Sequence, residues 1–193
     1  DRSQRLWTSA LWGAPGFLAA HDSTLTVNAV PSADDPLVDL ASGQPVGLIA
    51  IEFATRRRVR VNGTLVGVEP GRLAVEVDQA YGNCPQYIQQ RTLTVEEGEA
   101  PAGTAMHRDG LTEADTDLIR AADTFFFGTI HPGRGADASH RGGTAGFVRV
   151  DGPDLWWPDY PGNNMFNSLG NLAVDDSAAL LFVDFAGGRA LHL

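Results

Sequence analysis

The sequence contains no lysine: all 14 of its basic residues are arginine. That excludes lysine Schiff-base chemistry, and with it covalent pyridoxal phosphate and class I aldolase mechanisms. It also excludes a Walker A loop. Any bound phosphate must be held by arginine, hydroxyls, amides or backbone N–H groups. A single cysteine, Cys84, rules out an internal disulfide framework and a cysteine-based zinc site. Positive charge is scarce, with 24 acidic residues giving a net charge of −10, so neither nucleic acid nor an anionic membrane is an expected partner. No apolar run reaches about 18 residues, so no membrane span is expected. No export signal is visible, and the expected compartment is the cytoplasm. His21, His107 and His131 are scattered without metal-ligand spacing, and no metal is expected.

Turn formers are plentiful: 22 glycines and 11 prolines in 193 residues, against a usual combined share of about 12%. The apolar pattern between them is short and strand-like. Strands are predicted over Gly47–Phe53, Arg58–Glu69, Arg72–Val77, Thr124–Ile130, Gly146–Val150, Asp154–Tyr160 and Ala179–Phe185, which points to a barrel or sandwich. Three helices are predicted. One runs over Cys84–Arg91, with Pro85 in its first turn. One starts at Thr112, with Asp115 three residues on as a capping box. One lies in Asn163–Leu172, with Met165, Phe166, Leu169 and Leu172 on one face. The acidic, small-residue stretch Glu96–Ala105 reads as a linker.

An internal repeat organises the chain. Gly13–Val27 aligns with Gly143–Trp157, and Gly47–Val61 aligns with Ala179–Leu193. Identities are few (Gly13/Gly143, Gly16/Gly146, Phe17/Phe147, Phe53/Phe185, Arg57/Arg189), but strand order and spacing agree. The expected organisation is a first half over residues 1–95, a linker over 96–111 and a second half over 112–193. Both ends read as trimmed relative to a complete pair, and a homodimer would cover the open sheet edges this leaves.

Three segments carry a resemblance: Ala80–Gln89 (AYGNCPQYIQ), Gly135–Val150 (GADASHRGGTAGFVRV) and Trp157–Leu172 (WPDYPGNNMFNSLGNL). Together they resemble the pyridoxamine 5'-phosphate oxidase-like FMN-binding split barrels. The branch with two barrels in one chain, known mostly as predicted flavin-nucleotide-binding proteins, is the most similar. The resemblance implies a mainly β chain of two tandem six-stranded Greek-key split barrels forming an intrachain pseudo-dimer. It also implies FMN in the groove between them. By the family's pattern Ser139–Gly143 falls near the strand facing the flavin ring, and the turn around Pro158–Asn164 near the phosphate. The family's usual Ser-Arg-Lys phosphate turn is replaced here by Gly162, Asn163 and Asn164.

The repeat locates the expected site independently. In the second half, Pro158, Asp159, Tyr160, Gly162, Asn163 and Asn164 form a turn with backbone freedom and amide donors, with Asn167 following. The first-half counterpart carries Asp34 and Asp35, which repel phosphate. Ser139, His140, Arg141, Gly142 and Gly143 offer a hydroxyl, an imidazole, a guanidinium and two positions for close backbone approach. Their counterpart Ser9–Gly13 lacks the His and Arg. The asymmetry reverses on the strand: period two puts Arg58, Arg60 and Asn62 on one face, where the second half has Ala190 and His192. One composite FMN site follows, from second-half turns and first-half arginines, with a degenerate pseudo-site opposite; Asn83 and Tyr87 either line its groove or serve local helix capping and core packing.

Several roles stay open. His140 either donates to a flavin carbonyl or shuttles a proton, as the one candidate catalytic residue, or is a surface-turn histidine. Arg141 either neutralises the ligand or pairs with Asp137 or Asp159. The asparagines 163, 164, 167 and 171 either bind ligand or cap a helix. The expected function is an FMN-dependent oxidoreductase acting on a small-molecule substrate or with a redox partner protein. The alternatives are a non-catalytic flavin or haem carrier or sensor, with His140 or His131 as axial ligand, and a deazaflavin-dependent reductase.

Overall fold

A computed structural model describes residues 5–94, 105–162 and 164–193. Most of the expected linker, and Asn163, lie outside the described residues. The chain is mainly β. The first half contributes β1 (Leu18–His21), β2 (Thr24–Val27), β3 (Pro45–Glu52), β4 (Arg57–Glu69) and β5 (Arg72–Gly82). These pair antiparallel in the order β1-β2-β5-β4-β3. After α1 (Glu113–Ala121) come β6 (Thr124–His131), β7 (Gly135–Gly142), β8 (Arg149–Asp151), β9 (Asp154–Trp156), α2 (Asn167–Leu172), β10 (Ala178–Val183) and β11 (Ala190–His192). Strands β11-β10-β6-β7 form a second sheet, and β8-β9 a separate ribbon.

Each half has its own core. Val27, Leu65, Leu73 and Val75 fill the first. Ile119, Phe125, Phe127, Val148 and Phe182 fill the second, with Trp157 and Leu172 packed against them. Strand β4 serves both the first core and the boundary between halves. Register shifts at Asn62/Gly63 and Leu65/Gly67 move the inward-facing set by one residue. Before the first shift Arg60 points inward, and after it Leu65 does. The valine face of the leading segment is turned out, with Val59 exposed.

Local geometry agrees at positions the repeat matches. Phe17 N–H donates to the Ala14 carbonyl and Phe147 N–H to that of Thr144, both at 3.0 Å. Gly16 and Gly146 have φ of 90° and 84°. Ile51 pairs with Arg58 on β3–β4, as Val183 pairs with Ala190 on β10–β11. The matched Phe53 and Phe185 meet edge to face at 5.3 Å. Strand pairing does not draw two equal six-stranded barrels, however: the described sheets have five, four and two strands. Strand β5 joins β2 to β4 in the first half. No described strand does this in the second, so β8–β9 stands apart.

The helix at Thr112 forms with the expected capping box, Thr112 and Asp115 each accepting the other's backbone N–H. The helix expected over Cys84–Arg91 does not. Tyr87 has φ of 68°, a left-handed conformation that stops a helix after one turn. Beyond it Gln89 and Gln90 donate to the carbonyls of Gly143 and Ala54, and Arg91 donates to Asp123. The segment is tethered to three remote places instead of to itself. The helix in 163–172 is short and oriented otherwise than expected. Phe166 is left-handed at its N-cap, and Met165, Phe166 and Leu169 are exposed while Ser168 is buried. The two later strands are also shorter than predicted. A turn occupies Thr144–Phe147 before β8, and β9 ends at Trp156, two residues before Pro158. Among the described residues no helix is long and apolar enough to cross a membrane.

The halves meet where β3 and β4 cross β7. A Cβ on Gly47 would lie 2.6 Å from Asp137 Cα and 2.7 Å from Ala138 N. Backbone cannot yield as a side-chain tip can, so Gly47→Ala is expected to destabilise by about 1–3 kcal/mol. At Gly170, in α2, a Cβ meets nothing within 4 Å, and Gly170→Ala is expected to be neutral or to stabilise by up to about 1 kcal/mol. Urea unfolding of the two variants checks the contrast.

Candidate functional site

Strand β4 presents Arg58, Arg60 and Asn62 on the face that meets β7, as period two requires. Asn62 Nδ2 donates to the Ala136 carbonyl at 2.6 Å, Arg60 pairs with Asp137, and Arg58 Nη1 contacts His140 Nδ1 at 3.2 Å. These contacts run antiparallel along the two strands and join the halves. Ser139–Gly142, which the sequence read as a turn, is part of β7, and His140 is not a surface histidine: it is only 7% exposed.

The Arg60–Asp137 pair is buried, at 6% and 5% exposure. Much of the carboxylate's other bonding capacity is met locally. Ser168 Oγ, on the buried side of α2, donates to Asp137 at 3.2 Å and lies 3.1 Å from Ser139 Oγ. The Arg60 guanidinium stacks over Tyr81 at 5.5 Å. Tyr81 in turn accepts from Asn167 Nδ2 at 2.7 Å, and its hydroxyl is held above the ordinary phenol range chiefly by burial, with Arg60 opposing.

Outward of this network lies a groove of about 220 Å³. Its floor is Arg58, Arg60, Ser139, His140, Arg141 and Gly142. One wall is Asn83, Cys84, Gln86 and Tyr87 from the first half. The other runs through Pro158, Asp159, Tyr160, Gly162 and Asn164 to Asn167. Tyr87 and Tyr160 stack at 5.0 Å, and the Tyr87 hydroxyl donates to the Pro161 carbonyl, closing one end. Of the residues expected at the site, Gly143 does not line the groove. Its carbonyl takes the Gln89 amide, and a Cβ there would strike the Phe147 ring, so its role is in the turn.

The sequence reading missed Asp137 as the partner of Arg60, together with Ser168 and the exposed Met165, Phe166 and Leu169 at the rim. The available signal was the polar alternation Asp137, Ser139, Arg141 at period two, a strand with a functional face. Asn171 is structural: it donates to Thr129 Oγ1 at 3.0 Å.

Charge in the groove is uneven. Arg60 has Asp137, and Arg141 has Asp159 at 3.2 Å. Behind the groove Arg91 has Asp123 at 2.6 Å. Arg58 has neutral partners, His140 and the Asn83 carbonyl oxygen. Burial, then repulsion from Arg60, holds its guanidinium below its ordinary pKa. Burial does the same to Arg141, with Asp159 opposing. The Nε atoms of Arg58, Arg60 and Arg141 and Nε2 of His140 are buried without a protein partner among the described residues. Buried donors of this kind call for an acceptor. Burial, reinforced by Arg58 and Arg91, pushes the His140 pKa down to about 3, so the ring is neutral at physiological pH.

A second cavity, of about 280 Å³, lies against Asp34 and Asp35, the residues the repeat matches to the Gly162–Asn164 turn. His192, matched to Arg60, contacts the Thr8 carbonyl through Nδ1 at 3.0 Å and lies within electrostatic reach of Asp34.

Comparison with family models, curated proteins and solved structures finds no match to this chain.

Two outcomes follow from the buried groups. Arg60→Met leaves Asp137 buried without its cation and is expected to destabilise by about 3–5 kcal/mol. Arg60→Met combined with Asp137→Leu should recover much of that loss, and urea midpoints compare the two. His140 has a depressed folded-state pKa, so its contribution is complete above about 6.5 and is lost as pH falls toward about 3. In that window the unfolded chain takes up a proton the folded chain refuses, removing about 1.4 kcal/mol of stability per pH unit. Unfolding free energies at pH 7 and pH 5 should differ less in His140→Gln than in the parent.

Proposed function

We propose that this chain is a flavin-binding protein of the split-barrel kind, holding one FMN in the groove between its halves, and that it serves as an FMN-dependent oxidoreductase. The carrying observation is the half-buried Arg58 guanidinium, which has no carboxylate partner among the described residues, set among orphaned N–H donors. A buried cation without a counter-charge favours an anionic ligand. The donor set fits FMN, which brings a phosphate and a ring edge rich in carbonyl and nitrogen acceptors. The stacked tyrosines and exposed Met165 and Phe166 supply the apolar surface a planar ring needs. When bound, FMN supplies electron and hydride transfer. Arg58 balances negative charge, Asn83 orients Arg58, and Arg60, tied to Asp137, holds the floor on which Ser139, His140 and Arg141 stand. The reductant or oxidant is a small-molecule substrate or a redox partner protein reaching the open side of the groove.

The haem alternative is disfavoured by His140. Its Nδ1 faces an arginine donor, so a neutral ring keeps its proton on Nε2 and has no free lone pair for iron. A deazaflavin with a long acidic tail is disfavoured by the carboxylates already on Arg60 and Arg141. A non-catalytic carrier uses the same groove and differs only in turnover.

Titration with FMN, followed by flavin absorbance and fluorescence, tests the reading. One FMN per chain is expected, with affinity at least about tenfold weaker in Arg58→Met, a loss of about 1.4 kcal/mol. Asp159→Asn, which frees Arg141, should tighten binding. A chain that binds neither FMN nor riboflavin would sink the proposal; binding without any reductant bleaching the flavin would favour the carrier.

A further inference from the structure

We propose that Arg58 is a positioning residue that fixes the tautomer of His140 and leaves the imidazole Nε2–H as a hydrogen-bond donor to a carbonyl-type acceptor on the ligand in the groove. A guanidinium can only donate. Its Nη1 lies 3.2 Å from His140 Nδ1, so Nδ1 supplies a lone pair there. A neutral imidazole has one ring proton, which therefore sits on Nε2. An imidazolium would set N–H against N–H across the same contact. The guanidinium is itself oriented, because Nη2 donates to Asn83 Oδ1 at 3.2 Å. Nε2 is buried without a partner among the described residues, a donor that protein groups leave for something else.

The charged groups around the ring come from several elements: Arg58 on β4, Arg91 after β5, Asp123 ahead of β6 and Arg141 on β7. Phe126 on β6 adds an aromatic edge at 6.0 Å. Three cations face the ring against one carboxylate, in a buried setting, and they oppose a second ring proton. His140 so held polarises an acceptor and does not shuttle protons through Nδ1, which Arg58 occupies. The nature of the acceptor, an amide-like carbonyl of a flavin ring, rests on the flavin reading. The tautomer does not.

Long-range ¹H–¹⁵N correlation of the histidine rings in the ligand-free protein, with His140 assigned by its loss in His140→Gln, tests this directly. The parent should show Nε2 protonated and Nδ1 bare, with no titration of His140 between pH 8 and 5. In Arg58→Met the ring should populate both tautomers and its titration should rise, though not to the ordinary value, because burial remains. Arg58→Lys, which restores a donor and a charge, should return the parent pattern. A parent ring with Nδ1 protonated, an imidazolium at pH 7, or an unchanged tautomer in a folded Arg58→Met would overturn the proposal; the parent spectrum alone decides if that variant does not fold. Riboflavin, which lacks the phosphate, separates the two readings. The stated tautomer in a protein that ignores both riboflavin and FMN refutes the flavin and leaves Arg58 in its role. The stated tautomer with riboflavin binding unaffected by His140→Leu, which removes the donor, overturns the donor half of the proposal.

Discussion

The buried pair between Arg60 and Asp137 is the contact on which the arrangement of the groove depends. Taking both charges out of water is costly, and the attraction between them compensates only when nearly every remaining donor and acceptor is met. Asp137 meets this condition with Ser168 and Asn62 as well as Arg60. A shift of β4 against β7 by one residue would point Arg60 away and leave a naked carboxylate. The pair therefore acts less as a source of stability than as a constraint on register. Once register is set, Arg58 has to stand beside His140 and Asn62 beside the Ala136 carbonyl. The close approach at Gly47 makes the same demand sterically, because only a position without a Cβ lets β3 lie on the backbone of β7.

The polar seam changes what amphipathic patterning means here. A helix or strand normally turns its apolar stripe inward. Strand β4 turns arginines inward over its first segment and valines outward, because what lies inside is β7 with its own carboxylate and imidazole. Helix α2 does so in part: Ser168 is directed to Asp137 and Ser139 while Leu172 packs on the second core, and Leu169 is left at the groove rim beside Met165 and Phe166 ahead of the helix. Two elements thus invert their usual polarity, one of them in part, at the same place. That coincidence marks the groove as the place where the fold departs from ordinary amphipathic packing.

Legibility in the sequence follows from the same division. Strands with period-two or continuous apolar patterns, such as β3, β4, β6 and β10, were readable because local pattern and tertiary environment agree. So were the capping box at Thr112 and the arginine face of β4. The turn reading of Ser139–Gly142 failed because Gly and polar residues there signal a loop unless an opposing polar surface exists, and that surface lies some 80 residues earlier in the chain. The Cys84–Arg91 helix failed for a related reason: its glutamines and arginine satisfy distant backbone and carboxylate groups, which no local propensity encodes. The inward face of α2 was misread because the demand of Asp137 for a hydroxyl outweighed the apolar periodicity of Met165, Phe166 and Leu169. Pairing partners of buried charges are long-range facts, and one sequence carries little trace of them.

The two halves bring unlike groups to the regions around the two cavities. Where the second half brings Asp137 to Arg60, the first half brings the Thr8 carbonyl to His192, with the exposed Asp34 within electrostatic reach. A carbonyl can hold an imidazole but does not neutralise a buried guanidinium as Asp137 does. Conversely, Asp34 and Asp35 stand beside the second cavity, where they oppose an anion. Strand β4 carries the arginines and β7 the carboxylate and imidazole they meet, so these two strands have to stay in contact for the groove to keep its shape.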